Sequence, residues 1–213
     1  ILQVTKLKAT TYQVIDEHQV VISINIPINS VNTDQSLIIN PIVSNGQKDL
    51  VAGLDIKPAG VKFSVPVDIR FDFTNSTLHS HIYDSQKLSI FSLDTSNQPS
   101  PIFTIRKSNT QSVVTGMISA SGILVVDPTG KQQLTAAKNA LNAKDSSSLS
   151  LLESAQLFMT AKKKLDTQQR VRLQKLVASL SAKKEIPISV LALVIRLKNA
   201  LLSQSIMPQA FAE

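Results

Sequence analysis

The chain contains no cysteine and no tryptophan. Without cysteine it forms no disulfide, offers no thiolate nucleophile and holds no metal through sulfur. Long apolar runs are missing too. A helix that crosses a bilayer needs about 20 consecutive, mostly apolar residues, and no stretch of this sequence reaches that. Glycine is scarce, at 6 of 213 residues, and none sits in a Gly-rich phosphate loop. No serine is framed by glycines as in a nucleophile elbow. Histidine is limited to His18, His79 and His81. These absences point to a protein that is not an enzyme and carries no cofactor. The first residue is Ile1 rather than Met, as expected of a processed product or a fragment, from which any signal peptide would already be gone.

What is present divides in two. Residues 1–130 carry nine Lys and Arg against ten Asp and Glu, and residues 131–213 carry thirteen against five. The net charge of +7 therefore belongs to the back of the chain. The hydrophobic period changes at the same place, near Asp127-Pro128-Thr129-Gly130. At 213 residues the chain is long enough for two small domains, each with its own core.

The front is organised around Asp49 to Phe73. Lys57-Pro58-Ala59-Gly60 is a turn signal, since proline fixes φ and glycine permits φ > 0. Val61, Phe63 and Val65 then alternate with Lys62 and Ser64, the period of a half-buried strand. Pro66 requires an edge, a bulge or a restart. Beyond it Val67, Ile69, Phe71 and Phe73 alternate with Asp68, Arg70 and Asp72, giving one apolar and one charged face.

Around this stretch the sequence resembles the ZU-five β-sandwich, a module of ankyrins, netrin receptors and bacterial cell-surface proteins. The resemblance covers roughly residues 20–127. It rests on Ile26-Pro27, on Ile38 to Pro41, and on Pro58-Ala59-Gly60-Val61-Lys62-Phe63-Ser64-Val65-Pro66-Val67. Leu88 to Leu93 and Ile118 to Val126 complete it. It implies a binding or spacer module. Some members cleave themselves at a His-Phe-Ser motif before the last strand. Here Ser119-Ala120-Ser121 stands in that place, so the resemblance does not carry the cleavage over.

Further strands are predicted from period-two alternation. Leu2 to Ala9 reads as a first strand that Tyr12 to Ile15 continues. Val20 to Ile26, Leu37 to Val43, Val51 to Ile56, Leu88 to Leu93, Ile102 to Arg106, Val113 to Ile118 and Ile123 to Val126 follow. Asp94 to Pro101 reads as a turn. Many short strands at this spacing indicate an all-β sandwich. After Gly130 the apolar residues fall at helical spacing. Leu134, Ala137 and Leu141 mark one helix, and Leu151, Ala155, Phe158 and Leu165 the next, with Ser150 and Glu153 spaced as a capping box. Asp166 and Gln169 cap a third, which carries Leu173, Val177 and Leu180. Ile188 to Leu202 is apolar nearly all round and reads as the buried member of a bundle. The fold expected is an antiparallel β-sandwich over 1–129, a small four-helix bundle over 130–203 and an extended tail over 204–213.

Candidate sites are few. His79-Ser80-His81 with Asp84 has metal-ligand residue types, yet a polar loop with His-x-His alone falls short of a ligand set, and no metal site is assigned. Asp68 and Asp72, split by Arg70, read as a charge-balanced face rather than an acid–base pair. Asn75-Ser76-Thr77 is an N-glycosylation sequon. Lys162 to Lys164 and Lys183-Lys184 suit helix C-termini. Arg170, Arg172 and Lys175 do not, because they lie early in their helix. These three are the candidate partner-binding residues. The basic region has only Phe158 and Phe211 as aromatics, so it offers no stacking platform for single-stranded nucleic acid, and it has no DNA-reading motif. The partner expected is an acidic protein surface, such as another subunit of a homo-oligomer or polymer, or an anionic surface polymer. The function expected is that of a structural or adhesive module in a cell-surface or extracellular assembly. An intracellular scaffold of ankyrin or netrin-receptor type is the alternative. A hydrolase with a Ser-His-Asp triad assembled in space is a third.

Overall fold

The computed structural model describes residues 1–42, 51–78, 88–106, 112–128, 131–183 and 186–205. Two compact units form, Ile1–Ala136 and Ala137–Glu213. The described residues of the first contain eleven strands: β1 (Leu2–Val4), β2 (Thr10–Ile15), β3 (Val21–Ile26), β4 (Gln35–Ile42), β5 (Ala52–Lys57), β6 (Lys62–Asp72), β7 (Leu88–Leu93), β8 (Pro99–Pro101), β9 (Phe103–Arg106), β10 (Val113–Ala120) and β11 (Ile123–Pro128). They make two antiparallel sheets, ordered β1-β4-β5-β11-β7-β8 and β2-β3-β6-β10-β9. The antiparallel β-sandwich followed by helices, expected from the periodicity, is what the chain forms.

The core follows from alternation. Ile22 and Ile24 of β3 stand opposite Phe71 and Ile69 of β6, and Phe71, Ile69 and Val67 stand opposite Val114, Gly116 and Ile118 of β10. The other sheet supplies Leu37, Leu54, Ile56, Ile90, Leu124 and Val126 to the same cluster. Each such side chain contributes about 1.5–3 kcal/mol by leaving water. Gly116 of one sheet packs against Ile90 of the other: an added Cβ would lie 2.7 Å from Ile90 Cδ1 and 3.2 Å from Ile102 Cγ2.

Two strand expectations change, and the choice left open at Pro66 is decided in favour of a bulge. Leu2 to Ala9 and Tyr12 to Ile15 do not form one continuing strand. β1 pairs with β4 and β2 with β3, so the chain changes sheet between them. That crossing is held by the Lys6 N–H on Asp34 Oδ1 at 3.0 Å and the Asn29 N–H on the Lys6 carbonyl at 2.7 Å. Pro66 does not divide two strands. β6 runs through it, and the β6–β10 register shifts beside it, between Ile118 and Ala120. A bulge tolerates the missing N–H. It also breaks the phase, so Phe63 is buried while Val65 is 37% exposed. Pro99 and Pro101 lie in β8, an edge strand where a missing donor costs no ladder bond. Asp94 Oδ1 closes the preceding turn by accepting from the N–H groups of Ser96 and Gln98, both at 2.8 Å.

Four helices follow: α1 (Lys131–Asn142), α2 (Ser148–Thr160), α3 (Thr167–Ser181) and α4 (Ile188–Ser205). The divide between the units falls inside α1. Within the second unit α2, α3 and α4 contact one another, burying Leu152, Leu173, Val177, Val194 and Leu197. The N-cap of α2 is Ser147, whose hydroxyl accepts from the Ser150 N–H. The capping box expected from Ser150 and Glu153 is absent there, because both residues are buried inside the helix. α3 has the box expected of Asp166 and Gln169, with both reciprocal bonds made. α2 ends with Lys162 at φ 53°. The Lys162 N–H bonds the Met159 carbonyl and the Lys163 N–H the Phe158 carbonyl, a Schellman arrangement with lysine where glycine is usual.

The Gly116–Ile90 approach leaves no room for a methyl group. Gly116→Ala is expected to lower stability by about 1–3 kcal/mol through overpacking. Ile90→Val removes the opposing Cδ1, so the double variant should recover part of the loss. Urea unfolding of both, read as a double-mutant cycle, checks this; strictly additive losses would show that the two side chains do not compete for space.

Candidate functional site

Arg170, Arg172 and Lys175 occupy the first half of α3, and the fold of the second unit treats them differently. Asp166 accepts from the Gln169 N–H at 2.8 Å, and Gln169 Oε1 accepts from the Asp166 N–H at 3.1 Å. Gln169 Nε2 also donates to Asn142 Oδ1 at 2.8 Å, so the cap of α3 lies against the end of α1. That placement brings Arg172 to the orphan carbonyls of α1. Its Nη1 donates to the Leu141 carbonyl at 3.0 Å and to that of Ala143, and its Nη2 to that of Lys144 at 3.2 Å. The last carbonyls of a helix have no intrahelical donor and carry partial negative charge. A planar guanidinium with several donors suits them. Ser146 Oγ serves the Ala140 carbonyl beside them at 2.6 Å.

Arg172 therefore has a role inside the chain, at the C-terminus of a different helix from its own. The expectation that cations early in α3 lack a structural reason does not hold for it. Arg170 is half-buried, and its Nε is buried with no hydrogen-bond partner. Lys175 is exposed. Beside it Val171, 45% exposed, lies in a shallow apolar surface with Thr167 and Gln168.

The same two helices carry features that the sequence reading missed. Val190, Leu193, Val194, Leu197 and Leu201 of α4 are buried. The opposite flank is not: Ile188 is 85% exposed, Leu191 39%, Ile195 51% and Leu202 52%. α4 is thus not a fully buried member of the helical unit. Its all-round apolarity is two faces, one covered and one open. The signal was available in the 3-4-7 spacing of Ile188, Leu191, Ile195 and Leu202, which repeats beside the spacing of the core residues. Between α3 and α4 lies a groove of about 400 Å³, lined by Val177, Ala178, Ala182, Leu201 and Leu202 with Lys198 among them.

Among the described residues of the sandwich, several polar groups are committed to structural hydrogen bonds. Ser121 is buried. Its hydroxyl donates to the Pro58 carbonyl at 2.6 Å and accepts from the Val61 N–H at 2.9 Å. It thereby ties the turn Lys57 to Gly60, with Gly60 at φ 83° and a cis bond before Pro58, to the end of β10. Asp16, His18 and Ser76 come near one another, but through the main chain. Ser76 Oγ donates to the His18 carbonyl at 2.7 Å, and Asp16 Oδ1 accepts from the His18 and Val20 N–H groups. The imidazole lies 3.4 Å from Glu17. A triad needs the ring nitrogen on the serine hydroxyl, and here the hydroxyl is on a carbonyl.

Asp68 and Asp72 lie on the wet face of β6 as expected. Burial pushes the Asp68 carboxyl above the usual carboxylate range. Burial acts on Asp72 in the same direction, but the Thr74 hydrogen bonds and the Arg70 charge outweigh it and hold that carboxyl low. Arg70 Nη2 stands 2.6 Å from Asp72 Oδ2. His79, His81 and Asp84 lie outside the described residues. Among the described residues no group of three His, Asp or Glu could hold a metal ion, and no helix is long and apolar enough to cross a membrane. Asn75 of the sequon is exposed.

No family model matches the sequence, and no curated protein matches it either.

Two measurements check this geometry. Arg172→Ala should destabilise the protein by about 1.5–3 kcal/mol, the range for hydrogen bonds from a charged group, while Lys175→Ala should stay within about 0.5 kcal/mol. Equal losses in chemical unfolding would contradict the assigned role of Arg172. For Asp68 the folded pKa is raised, so the folded state binds the proton more tightly than the unfolded chain. Its contribution is fully present below the unfolded value of about 3.9 and is lost as pH rises through the folded value. Asp68→Asn should therefore be more stable than the parent at pH 7, with the difference shrinking toward pH 3. A gap that widens on acidification would refute the assignment.

Proposed function

We propose that this chain is a non-enzymatic interaction module of a cell-surface or extracellular assembly. In this reading the sandwich is a rigid ZU-five-like spacer, and the helical unit meets the acidic surface of a neighbouring subunit or an anionic surface polymer. One observation carries the reading. α3 and α4 hold five cations, Arg170, Arg172, Lys175, Arg196 and Lys198, and no Asp or Glu. Packing three helices requires no such excess, and like charges on one small unit oppose its compaction. Arg172 is accounted for by the end of α1. Lys175, Arg196 and Lys198 are exposed, and with half-buried Arg170 they are the cations left for a partner. The committed hydroxyls of Ser76 and Ser121 support a structural rather than a catalytic reading of the sandwich.

Retention on immobilised dextran sulfate and self-association in sedimentation velocity, both across a salt series, test the proposal. Binding should fall as the screening length shrinks to about 3 Å near molar salt. Lys175→Glu with Lys198→Glu should lower the salt concentration of release without moving the thermal melting curve. A double variant that elutes and sediments like the parent at every salt concentration would reduce these lysines to a solvated face.

A further inference from the structure

The open flank of α4 and the groove beside it are continuous. Leu191, Ile195, Lys198 and Leu202 follow at steps of four, three and four, so they share one face. Leu202 and Lys198 also line the groove between α3 and α4. From Ile188 to Leu202 the stripe runs roughly 21 Å at the rise of an α-helix. The surface is concave at its Lys198–Leu202 end, with an apolar floor from Val177, Ala178 and Leu201, and continues toward Ile188 as an exposed apolar stripe. Lys198 stands at its lip and Lys175 on the neighbouring flank of α3, both exposed. Neither helix carries an acid.

We infer that this groove docks the apolar face of an acidic amphipathic helix from a partner protein. The inference rests on the proposed reading of the helical unit as a partner-binding surface and names the partner's shape. A helix with apolar residues at the same three- and four-residue steps lays a ridge into such a groove. Glutamates or aspartates on its flanks meet Lys175 and Lys198, giving charge complementarity that fixes orientation and speeds encounter. A second copy of this chain fits less well, because its matching face brings the same cations and no acids. A lipid surface fits less well too, because a planar headgroup layer does not fill a concave groove.

The test uses the full chain and a fluorescein-labelled peptide of about 15 residues, four helical turns, with leucines at three- and four-residue steps and glutamates elsewhere. Controls are the same composition scrambled and the same pattern with lysine for glutamate. Anisotropy should show saturable binding of the patterned acidic peptide only. Ile195→Glu and Leu202→Glu alter half-exposed side chains and leave the helical core intact. Each should weaken that binding by about tenfold or more, and methyl NMR shifts on titration should centre on Val177, Ala178 and Leu201. Equal binding of the scrambled peptide, or no effect of Ile195→Glu and Leu202→Glu, overturns the groove. In that case, loss of dextran sulfate binding in Lys175→Glu with Lys198→Glu would still uphold the broader reading. Two other results also overturn the inference: peptide refusal with binding to phosphatidylserine vesicles, and a concentration-dependent dimer of the chain that Leu202→Glu dissolves.

Discussion

The contact between the inner faces of the two sheets, where Gly116 packs against Ile90, governs the rest of the sandwich. Because the strand period is two, a slip of one residue would turn a whole strand's apolar set to water. β3, β6 and β10 therefore have one register available, and their neighbours inherit it. Departures occur where the inner face is already served. The bulge beside Pro66 lies before Val67, beyond the Asp68 end of the β3–β6 ladder. The Pro-rich β8 lies at the rim of its sheet. The polar groups buried in the unit, such as Ser76 and Ser121, bond main-chain atoms of loops, where the ladders leave donors and acceptors unserved.

How much of this was legible depends on the range of the force involved. Ile22 to Ile26 and Val67 to Phe73 declared themselves, because alternation is local and the core rewards it directly. The cap at Asp166 was legible for the same reason, since both partners are three residues apart. Val65 was misjudged because Pro66 announces an edge, a bulge or a restart without saying which, and only the bulge turns Val65 outward. The joining of Leu2 to Ala9 with Tyr12 to Ile15 failed because sheet membership is decided by partners far along the chain, β4 for one and β3 for the other. Ser150 and Glu153 had the spacing of a cap, but Ser147 stood one turn earlier with the same chemistry.

The candidate site was half legible. Composition located the cations of α3 and α4 but not their employment. Arg172 looked surplus because the helix end it serves is 28 to 31 residues away in sequence. α4 looked buried because an apolar residue reads alike whether its neighbour is the core or open water. Local pattern records what a side chain prefers, and only the packed unit decides which preferences are met. The unmet ones, exposed isoleucines and leucines beside exposed lysines, coincide on the face of α4 next to α3. Scattered single hydrophobics on a surface are ordinary, whereas a row of them at one spacing is not.

The guanidinium of Arg172 also sets an order of events. A chain emerging from the ribosome delivers α1 first, and synthesis proceeds at about 5–20 residues per second. The end of α1 must then wait on the order of seconds before its donor, carried by α3, has even been made. Until then the Leu141 carbonyl lacks its Arg172 donor. Closure of the loop from α1 to α3 fixes both helix ends in one step, since Gln169 and Arg172 arrive together. The nascent helical unit is thus stitched from its middle backward.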